Sequence, residues 1–441
     1  MLIMHTMLRA LVQQCWLRGH RFLTRKIDQL LSKHYVALHN AELWKQSVHN
    51  MKSSSYVYLD YAASAPQRRI SLQTQEAYEE SAYAGANPNS LHTPGRLAYA
   101  ALERSRREIA SCFTTALDPY EVHFTSGGTE SNNMALCGIV QAYRLRQPHR
   151  TKIVVSAIEH DSCLEPLGRL KEQGFEVVYV RPSSTGEITC EQLRSVLDEH
   201  VALTCIMYAN NETGVIQPIR ELARCAHEVG SYVMSDAVQA FGRIPCDLEE
   251  IDACSIAAHK IGGPVGIGAL ILKRNTPFVP LTFGGGQEGG ARPGTQAVCL
   301  CEAFAQTARE CIQHIKQRRS TVAARAHMLE QMLCASDRIT PTTPLSFADK
   351  RLPGIVSVLA KDCDAQAILL QLDSKGFGIS SGSACASDSA RASHVLRAQG
   401  ICERDALGAL RISFDERVDE DTLKRFANTL LSIVTTSQVA L

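Results

Sequence analysis

The sequence predicts an α/β fold in which a large, mainly parallel seven-stranded sheet is followed by a smaller α+β domain. After residue 115, short runs rich in β-branched residues alternate with longer amphipathic stretches, as in the strand–helix units that build parallel sheets. Beyond about residue 315, this alternation gives way to a long polar helix and a mixture of strand and helix patterns. We therefore expect an N-terminal extension over 1–55, a large domain over 56–315 and a small C-terminal domain over 316–441.

Seven short runs carry the strand pattern of the large domain. They read EVHFTS, KIVVSA, FEVVYV, LTCIMYA, SYVMSD, ACSIAA and IGALIL. Helices are predicted between several of them, for example over 133–145 and 220–229, because parallel neighbours need long crossover connections. The small domain is expected to contain a strand at GIVSVLA, a helix over 365–374, a strand at LRISF and a closing helix.

The first 55 residues stand apart from the predicted fold. The stretch 1–27 contains no acidic residue but several arginines, which loosely resembles an organelle transit peptide. It also lacks serine, which such peptides usually contain, and the recognisable fold begins shortly after Met51. We expect either that Met51 is the true start or that the extension lies outside the fold, and we expect the cytoplasm to be the location rather than an organelle.

The composition excludes several classes of function. The 441 residues include 46 basic and 45 acidic side chains, a formal charge of +1, without a basic block dense enough to bind nucleic acid. No apolar run approaches the roughly 18–20 residues that span a bilayer. The 16 cysteines are scattered and lack the paired spacing of a zinc site, so we expect reduced, mostly buried thiols and no metal.

An acid and an amine follow two consecutive predicted strands. Asp236 ends SYVMSD and Lys260 follows ACSIAA, so in a parallel sheet both lie at the carboxyl edge, where ligands bind. A lysine can form a Schiff base with an aldehyde cofactor, and an aspartate can keep a pyridine nitrogen protonated. Each residue alone would be interpreted as a surface charge, but their joint placement favours a pyridoxal phosphate site.

Three further motifs place polar groups at the same edge. FTSGGTESNN combines a strand, a glycine turn with Gly128 and a helix start at Thr129, which suits a phosphate; an ordinary turn capped by Thr129 is the alternative. His160 follows another strand, where an imidazole could stack on a ring and move protons, although a lone histidine is more often structural. Asn210 and Asn211 end a fifth strand and suit either a ligand oxygen or a turn.

Taken together, these motifs resemble those of the pyridoxal-phosphate cysteine desulfurases of the NifS/IscS type, in the class V aminotransferase group with the fold-type I architecture. The matching segments follow one another in order over about 56–432. They are YLDYAASAP, GANPNSLHTPGR, FTSGGTESNN, IEH, NNETGVIQPI, DAVQAFGRIP, AHKIGGPVGIGAL, GGGQEGGARPGT, SSGSACAS and LRIS. The resemblance implies a homodimer that converts L-cysteine to L-alanine and passes sulfur to an acceptor such as an iron–sulfur scaffold.

The resemblance also assigns roles around the cofactor ring. It makes Lys260 the Schiff-base lysine and Asp236 the partner of the pyridine nitrogen. Gln239 would hydrogen-bond the phenolic oxygen, His160 would stack on the ring and shuttle protons, and Asn211 would lie beside the cofactor.

Further roles concern the phosphate and the substrate. Gly128, Thr129 and His259 would hold the phosphate, and Thr295 would reach the phosphate bound by the neighbouring subunit. The substrate carboxylate would be received by Asn87, Asn211 and Arg411, for which the bidentate guanidinium of arginine is well suited.

Cys385 is the expected nucleophile. It stands in SSGSACAS among small residues, which allow a loop to move between a buried ring and a partner's surface. In the family that this sequence resembles, the cysteine of this loop takes the substrate sulfur as a persulfide. An incidental thiol would not require such flanking residues.

Some positions depart from the family pattern. Ala257 replaces a usual serine ligand of the phosphate, Gly289 and Pro293 replace a usual arginine and serine, and Tyr61 replaces a common asparagine. We expect an active enzyme, because no covalent or proton-transfer group is lost. The alternatives are a selenocysteine lyase or other class V enzyme, and a sulfur-relay scaffold with weakened catalysis.

Overall fold

The computed structural model describes residues 56–382 and 392–436. The predictions for 1–55 and for Cys385 lie outside the described residues. The described elements from Tyr58 onward belong to one compact unit, Tyr58–Leu441. Among the described residues, no helix is both long enough and apolar enough to cross a membrane.

Strands and helices alternate over most of the described chain. The strands are β1 (Val57–Tyr58), β2 (Val122–Thr125), β3 (Lys152–Ser156), β4 (Glu176–Val180), β5 (Val201–Cys205), β6 (Tyr232–Asp236), β7 (Ala253–Ala257), β8 (Gly268–Leu272), β9 (Ile339–Pro341), β10 (Ile355–Ala360), β11 (Phe377–Gly378), β12 (Ser380–Ser381) and β13 (Ala409–Ser413). The helices are α1 (Arg69–Glu79), α2 (Thr93–Ser111), α3 (Gly128–Arg146), α4 (Asp161–Glu172), α5 (Cys190–Arg194), α6 (Ile219–His227), α7 (Val298–Gln313), α8 (Ile315–Cys334), α9 (Ala365–Ser374), α10 (His394–Ala398), α11 (Glu403–Ala406) and α12 (Glu420–Thr436).

The large sheet has the strand order β2-β8-β7-β6-β5-β3-β4. The strands β4, β3, β5, β6 and β7 run parallel, whereas β8 is antiparallel to both of its neighbours, β7 and β2. The predicted mainly parallel seven-stranded sheet is therefore confirmed. Because β8 is reversed, β2 and β3 to β7 all end at the same edge of the sheet.

Both faces of this sheet are buried. Val154 of β3 packs into one apolar cluster with residues of α2, α6 and α7, while its neighbours Ile153 and Val155 pack into a second cluster with α3 and α4. Alternate side chains of a strand point to opposite faces, so a strand covered on both faces is apolar throughout. The continuous apolar runs in the sequence reflect this double burial.

Two helix boundaries differ from the predicted ones. Helix α3 begins at Gly128, one residue before the start predicted at Thr129 by the glycine turn and five before the stretch predicted over 133–145. Apolar periodicity did not reveal the first turn, because that turn is polar. Helix α6 ends at His227, since the chain reverses at Gly230, where φ is +75°. The helix predicted over 365–374 coincides with α9.

A second, antiparallel sheet follows in the C-terminal part, with the order β12-β13-β10-β9. The predicted strands GIVSVLA and LRISF correspond to β10 and β13, and the closing helix to α12. This confirms a separate C-terminal sheet, whereas a domain boundary at 315/316 stays a prediction.

The segment after β1 lies beside the C-terminal sheet. The Ser413 amide donates to the Leu59 carbonyl at 2.7 Å, the Tyr61 amide donates to the Ser413 carbonyl at 3.1 Å, and Asp60 forms an isolated parallel bridge with Ser413. The first motif of the sequence is thereby placed next to β13, the strand that carries Arg411.

Candidate active site

A cavity of about 530 Å³ opens at the edge where β2 and β3 to β7 end. Most of the residues predicted for the site line this cavity, although they are far apart in the sequence. They are Gly128, Thr129, His160, Asn211, Asp236, Gln239, His259, Lys260 and Arg411. Strand ends of a parallel sheet converge in this way because the intervening helices return the chain to the opposite edge.

Lys260 lies on a short 3₁₀ turn, Ala258–Ile261, which directly follows β7. Its Nζ donates to the carbonyl oxygens of Ala62 and Ala63, both at 2.8 Å. The Gln239 side chain, which follows β6, donates to the same Ala62 carbonyl at 2.9 Å. The Lys260 amine is therefore held at the cavity surface, next to the segment 62–63.

Asp236 is fixed by two donors at the end of β6. Its Oδ2 accepts from Asn132 Nδ2 at 2.7 Å and its Oδ1 accepts from the Val238 amide at 2.9 Å. Only 5% of the residue is exposed. Together, Asp236, Gln239 and Lys260 form what we call the lysine wall of the cavity.

Asn132 was not singled out by the sequence reasoning. It lies on the first turns of α3, and its amide donates to Ser162 Oγ at 2.8 Å as well as to Asp236. The asparagine pair in the motif FTSGGTESNN was the signal in the sequence for this residue. Its contact with Asp236 could not be inferred without the sheet order.

The start of α3 forms an anion-binding end of the cavity. Gly127 is the N-cap, with φ +154° and no side-chain cap, so Thr129 does not cap the helix and the helix begins one residue earlier than predicted. A Cβ atom on Gly128 would lie 2.7 Å from Val238 Cγ2. Glycine is therefore required there, and the first-turn N–H groups face the cavity end that a phosphate would occupy.

Two histidines lie at this edge. His160 precedes α4 as its N-cap, and its Nδ1 lies 2.8 Å from Ser162 Oγ. His259 Nδ1 lies 3.2 Å from Ser64 Oγ. Burial, together with the positive charges of Lys260 and Arg243, lowers the pKa of His259 to about 4. At neutral pH, His259 is therefore uncharged and would bind an anion through a ring N–H.

Arg411 lies on β13 and only 2% of it is exposed. Its Nη2 donates to Asp60 Oδ1 at 2.8 Å and its Nη1 donates to the Asn211 carbonyl at 3.0 Å. Its Nε is buried and has no hydrogen-bond partner within the described part of the chain. The guanidinium is thus held in place by two acceptors, while Nε–H and the second N–H of each terminal nitrogen remain as further donors.

Glu212 is a buried acid that the sequence reasoning did not assign. Its residue exposure is 4%, it lines the cavity next to Asn211, and Ser393 Oγ donates to its Oε2 at 2.5 Å. Burial raises the pKa of Glu212 to about 7, opposed by the Ser393 hydrogen bond and the charges of His394 and Arg411. Asn211, Glu212 and Arg411 form what we call the arginine wall.

A second buried acid lies behind His160. Glu159 is fully buried, its Oε1 accepts from the Met207 amide at 2.7 Å, and its Oε2 lies 3.9 Å from Cys205 Sγ. Its ligand atoms and those of Cys163 and Cys205 lie within 4.8 Å of one another. Burial raises the pKa of Glu159 well above its usual range. A hydrogen bond with Cys163 lowers the pKa of Cys205, but burial and the neighbouring Glu159 and Asp236 raise it to about 11.

The remaining predicted residues lie elsewhere. Asn87 and Thr295 are exposed and are absent from the cavity lining. Their loops are adjacent, because Asn89 Nδ2 donates to Asn87 Oδ1 at 3.1 Å and to Gln296 Oε1 at 3.2 Å. Cys385 lies outside the described residues.

Known proteins share the sequence pattern and the fold of this chain. The aminotransferase class-V family matches residues 57–426. A curated relative, an IscS-like cysteine desulfurase of Mycobacterium tuberculosis, is 38% identical over 364 residues, which cover 81% of this chain and 90% of the relative.

Two solved structures share the fold. One, a NifS-like protein, superimposes with a TM-score of 0.79 at 30% identity and covers 87% of this chain and 100% of its own. The other, SspA in complex with cysteine, gives a TM-score of 0.69 at 30% identity and covers 81% and 98%. The chain therefore belongs to the class-V aminotransferase family, within its group of cysteine desulfurases. Enzymes of this family depend on pyridoxal phosphate.

Proposed function

We propose that this cysteine desulfurase converts L-cysteine to L-alanine with pyridoxal phosphate held in the described cavity and Cys385 as the sulfur acceptor. The observation that carries the proposal is the meeting of Asp236 and Lys260 with Arg411 around one cavity at the sheet edge. An amine, a fixed carboxylate and a buried guanidinium are the groups that an amino-acid substrate and a pyridine cofactor require.

The residues present fit the cofactor. The buried Oε1 of Gln239 has no hydrogen-bond partner within the described part of the chain, so it offers an acceptor inside the cavity. Asp236 would bind the protonated ring nitrogen, Lys260 would hold the aldehyde carbon, and the α3 start with His259 would hold the phosphate. When bound, pyridoxal phosphate supplies an electron sink that stabilises negative charge at the substrate Cα.

The protein's own groups bind the substrate and move its protons. Arg411 binds the substrate carboxylate and orients it, because Asp60 and the Asn211 carbonyl hold the guanidinium in place while each terminal nitrogen keeps a second N–H. Lys260 takes the Cα proton, and His160 transfers a proton between Cys385 and the substrate.

In the transfer step, one sulfur atom passes from the substrate to the protein. The Cys385 thiolate attacks the substrate sulfur, so that an S–S bond forms as the substrate Cβ–S bond breaks. The electron pair of the broken bond remains on carbon, which takes up a proton and becomes the methyl group of alanine. Cys385 keeps the sulfur as a persulfide, and an acceptor thiol must remove it before the next turnover.

We further propose that the functional unit is a homodimer. Asn87 and Thr295 lie on adjacent exposed loops, outside the cavity of their own chain. This position supports the role expected for Thr295, which is to reach the phosphate bound by the neighbouring subunit. For the persulfide, an iron–sulfur scaffold is the acceptor that we propose.

The test is alanine formation from L-cysteine by the purified protein loaded with pyridoxal phosphate. Wild type should form alanine, whereas Lys260→Ala and Cys385→Ala should each lose at least about 10³-fold in rate. The matched controls are Lys375→Ala and Cys402→Ala, because both residues are exposed and lie outside the cavity lining. A wild type that forms no alanine with excess cofactor and a reducing thiol would contradict the proposal. Retained activity in Cys385→Ala would remove that residue as the acceptor.

A further inference from the structure

We propose that Glu212 is a positioning residue for sulfur transfer: its carboxyl group holds Gly382 and Ser393, on either side of the segment 383–391, against the arginine wall. This inference rests on the proposed function, in which Cys385 of that segment accepts the sulfur. It concerns a residue that does not itself contact the reacting atoms.

The backbone of Glu212 is rigid. Asn210 Oδ1 accepts from the amides of Glu212 and Thr213, both at 2.9 Å, and the turn closes with a bridge between Ala209 and Ile216. Asn210 Nδ2 in turn donates to the Ile158 carbonyl at 3.1 Å. Glu212 is therefore anchored to the ends of β3 and β5, which belong to the large sheet.

The C-terminal side of the segment is tied to this carboxyl through Ser393. The serine is 3% exposed and is the N-cap of α10. Its Oγ accepts from the Leu396 amide at 3.2 Å and donates its proton to Glu212 Oε2 at 2.5 Å. A hydrogen bond to a charged acceptor is among the stronger ones, so the start of α10 is fixed when Glu212 is ionised.

The N-terminal side of the segment packs against the same oxygen. Gly382 is buried directly after β12, and a Cβ atom placed on it would lie 2.7 Å from Glu212 Oε2 and 3.7 Å from Ser393 Cβ. Gly382 and Ser393 thus both lie next to Glu212 Oε2. One carboxyl group sets the separation between the two points where the segment leaves and rejoins the described fold.

The charges around Glu212 come from three elements. Arg411 of β13 and His394 of α10 favour the ionised carboxyl group, whereas Asp161 of α4 disfavours it. Arg411 is already paired with Asp60, and within residues 56–382 and 392–436 Glu212 forms no salt bridge. Its geometry therefore depends on Ser393 and on the packing against Gly382.

Variants at Ser393 separate positioning from simple helix capping. Aspartate also caps helices but places a second carboxylate against Glu212, while threonine keeps both the cap and the donor. We expect Ser393→Asp to slow persulfide formation on Cys385 about tenfold or more in a single turnover, measured by mass spectrometry, and Ser393→Thr to remain near wild type. Cysteine affinity, measured from the absorbance change on mixing, should stay within about threefold.

Variants at Glu212 complete the test. Glu212→Ala should slow the same step as Ser393→Asp, and Glu212→Gln, which keeps an acceptor for Ser393, should lie between it and wild type. The Glu212→Ala/Ser393→Ala double variant should be no slower than the slower single variant, because both remove one interaction. Glu228→Gln is the matched control, since Glu228 is exposed at the end of α6. Should Glu212→Ala fail to fold, the two Ser393 variants alone decide the test.

The outcomes are distinct. A wild-type rate of persulfide formation in Ser393→Asp would mean that Ser393 is only a cap. A loss of cysteine affinity as large as the loss of rate would place Glu212 in substrate binding. Either result overturns the inference while the proposed function stands. Additive effects in the double variant would also overturn it. A wild type that forms no alanine would overturn the proposed function and this inference with it.

Discussion

The two walls of the cavity are built in different ways. The lysine wall consists of residues at the ends of β6 and β7 and in the turn after β6, and its polar groups are held by short contacts within the large sheet and the segment 62–63. The arginine wall joins Asn211 and Glu212, in the turn that follows β5, to Arg411 of β13 in the C-terminal sheet. The first wall follows from sheet topology, and the second requires two sheets to pack together.

The walls also differ in charge. At the lysine wall, Asp236 is stabilised by two donors, and the neighbouring His259 is neutral because burial and nearby cations lower its pKa to about 4. At the arginine wall, burial raises the pKa of Glu212 to about 7. The protonation state of the arginine wall is therefore expected to change with pH near neutrality.

The largest loss of activity is expected from a substitution in the lysine wall. Asp236→Ala removes the charge that would keep the ring nitrogen protonated, so we expect kcat for alanine formation to fall about 10²–10³-fold. The visible absorbance of the bound cofactor should persist, because Lys260 is unchanged. A loss of less than tenfold would show that the lysine wall does not depend on Asp236.

A buried acid makes the arginine wall sensitive to pH. The folded protein holds the Glu212 proton more tightly than the unfolded chain, because burial raises its pKa from 4.5 to about 7. The stability that this proton contributes is complete below pH 4.5 and is lost as the pH rises through 7, a change of about 3 kcal/mol. Chemical unfolding of wild type and Glu212→Gln from pH 4.5 to 8 should show wild type losing stability relative to the variant. Parallel pH profiles would contradict this expectation.

Arg411→Lys tests the shape of the arginine wall. A single ammonium group cannot bond Asp60, the Asn211 carbonyl and a substrate carboxylate with the geometry of a guanidinium. We expect kcat/KM for cysteine to fall about 30-fold, a loss of about 2 kcal/mol, mainly through KM. Arg417→Lys, at a partly exposed arginine outside the cavity lining, is the control. An unchanged KM would remove Arg411 from substrate binding.

The smallest effect should come from Ala257, the position that departs from the family pattern. Its Cβ lies 3.7 Å from the Cβ position of Gly128 and lines the cavity beside the anion-binding end. Ala257→Ser would add a donor there, worth about 1 kcal/mol, or about fivefold in cofactor affinity. A cofactor titration followed by absorbance measures this change. Equal or weaker affinity would show that the hydroxyl group does not reach the phosphate.

Much of the lysine wall could be predicted from the sequence. Asp236 and Lys260 each follow an apolar run, and the carboxyl ends of parallel strands share one edge, so their proximity followed from the pattern. Asn132 could not be predicted in the same way, because its contact with Asp236 depends on how α3 packs across the sheet. Apolar periodicity also placed the start of α3 too late, at 133, since the first turn is polar, whereas the glycine turn placed it within one residue.

The sequence by itself determined the strand–helix alternation, the mainly parallel sheet and the residues at its carboxyl edge, because apolar periodicity and the alternation of strands with crossover helices are local properties of the chain. Only the tertiary structure decided the arginine wall. The pairing of Arg411 with Asp60, and the contact of Glu212 with Ser393 and Gly382, join parts of the chain with no shared local pattern. The physical reason is that burial and electrostatics depend on every neighbour in space, and these neighbours are set by the packing of one sheet against another.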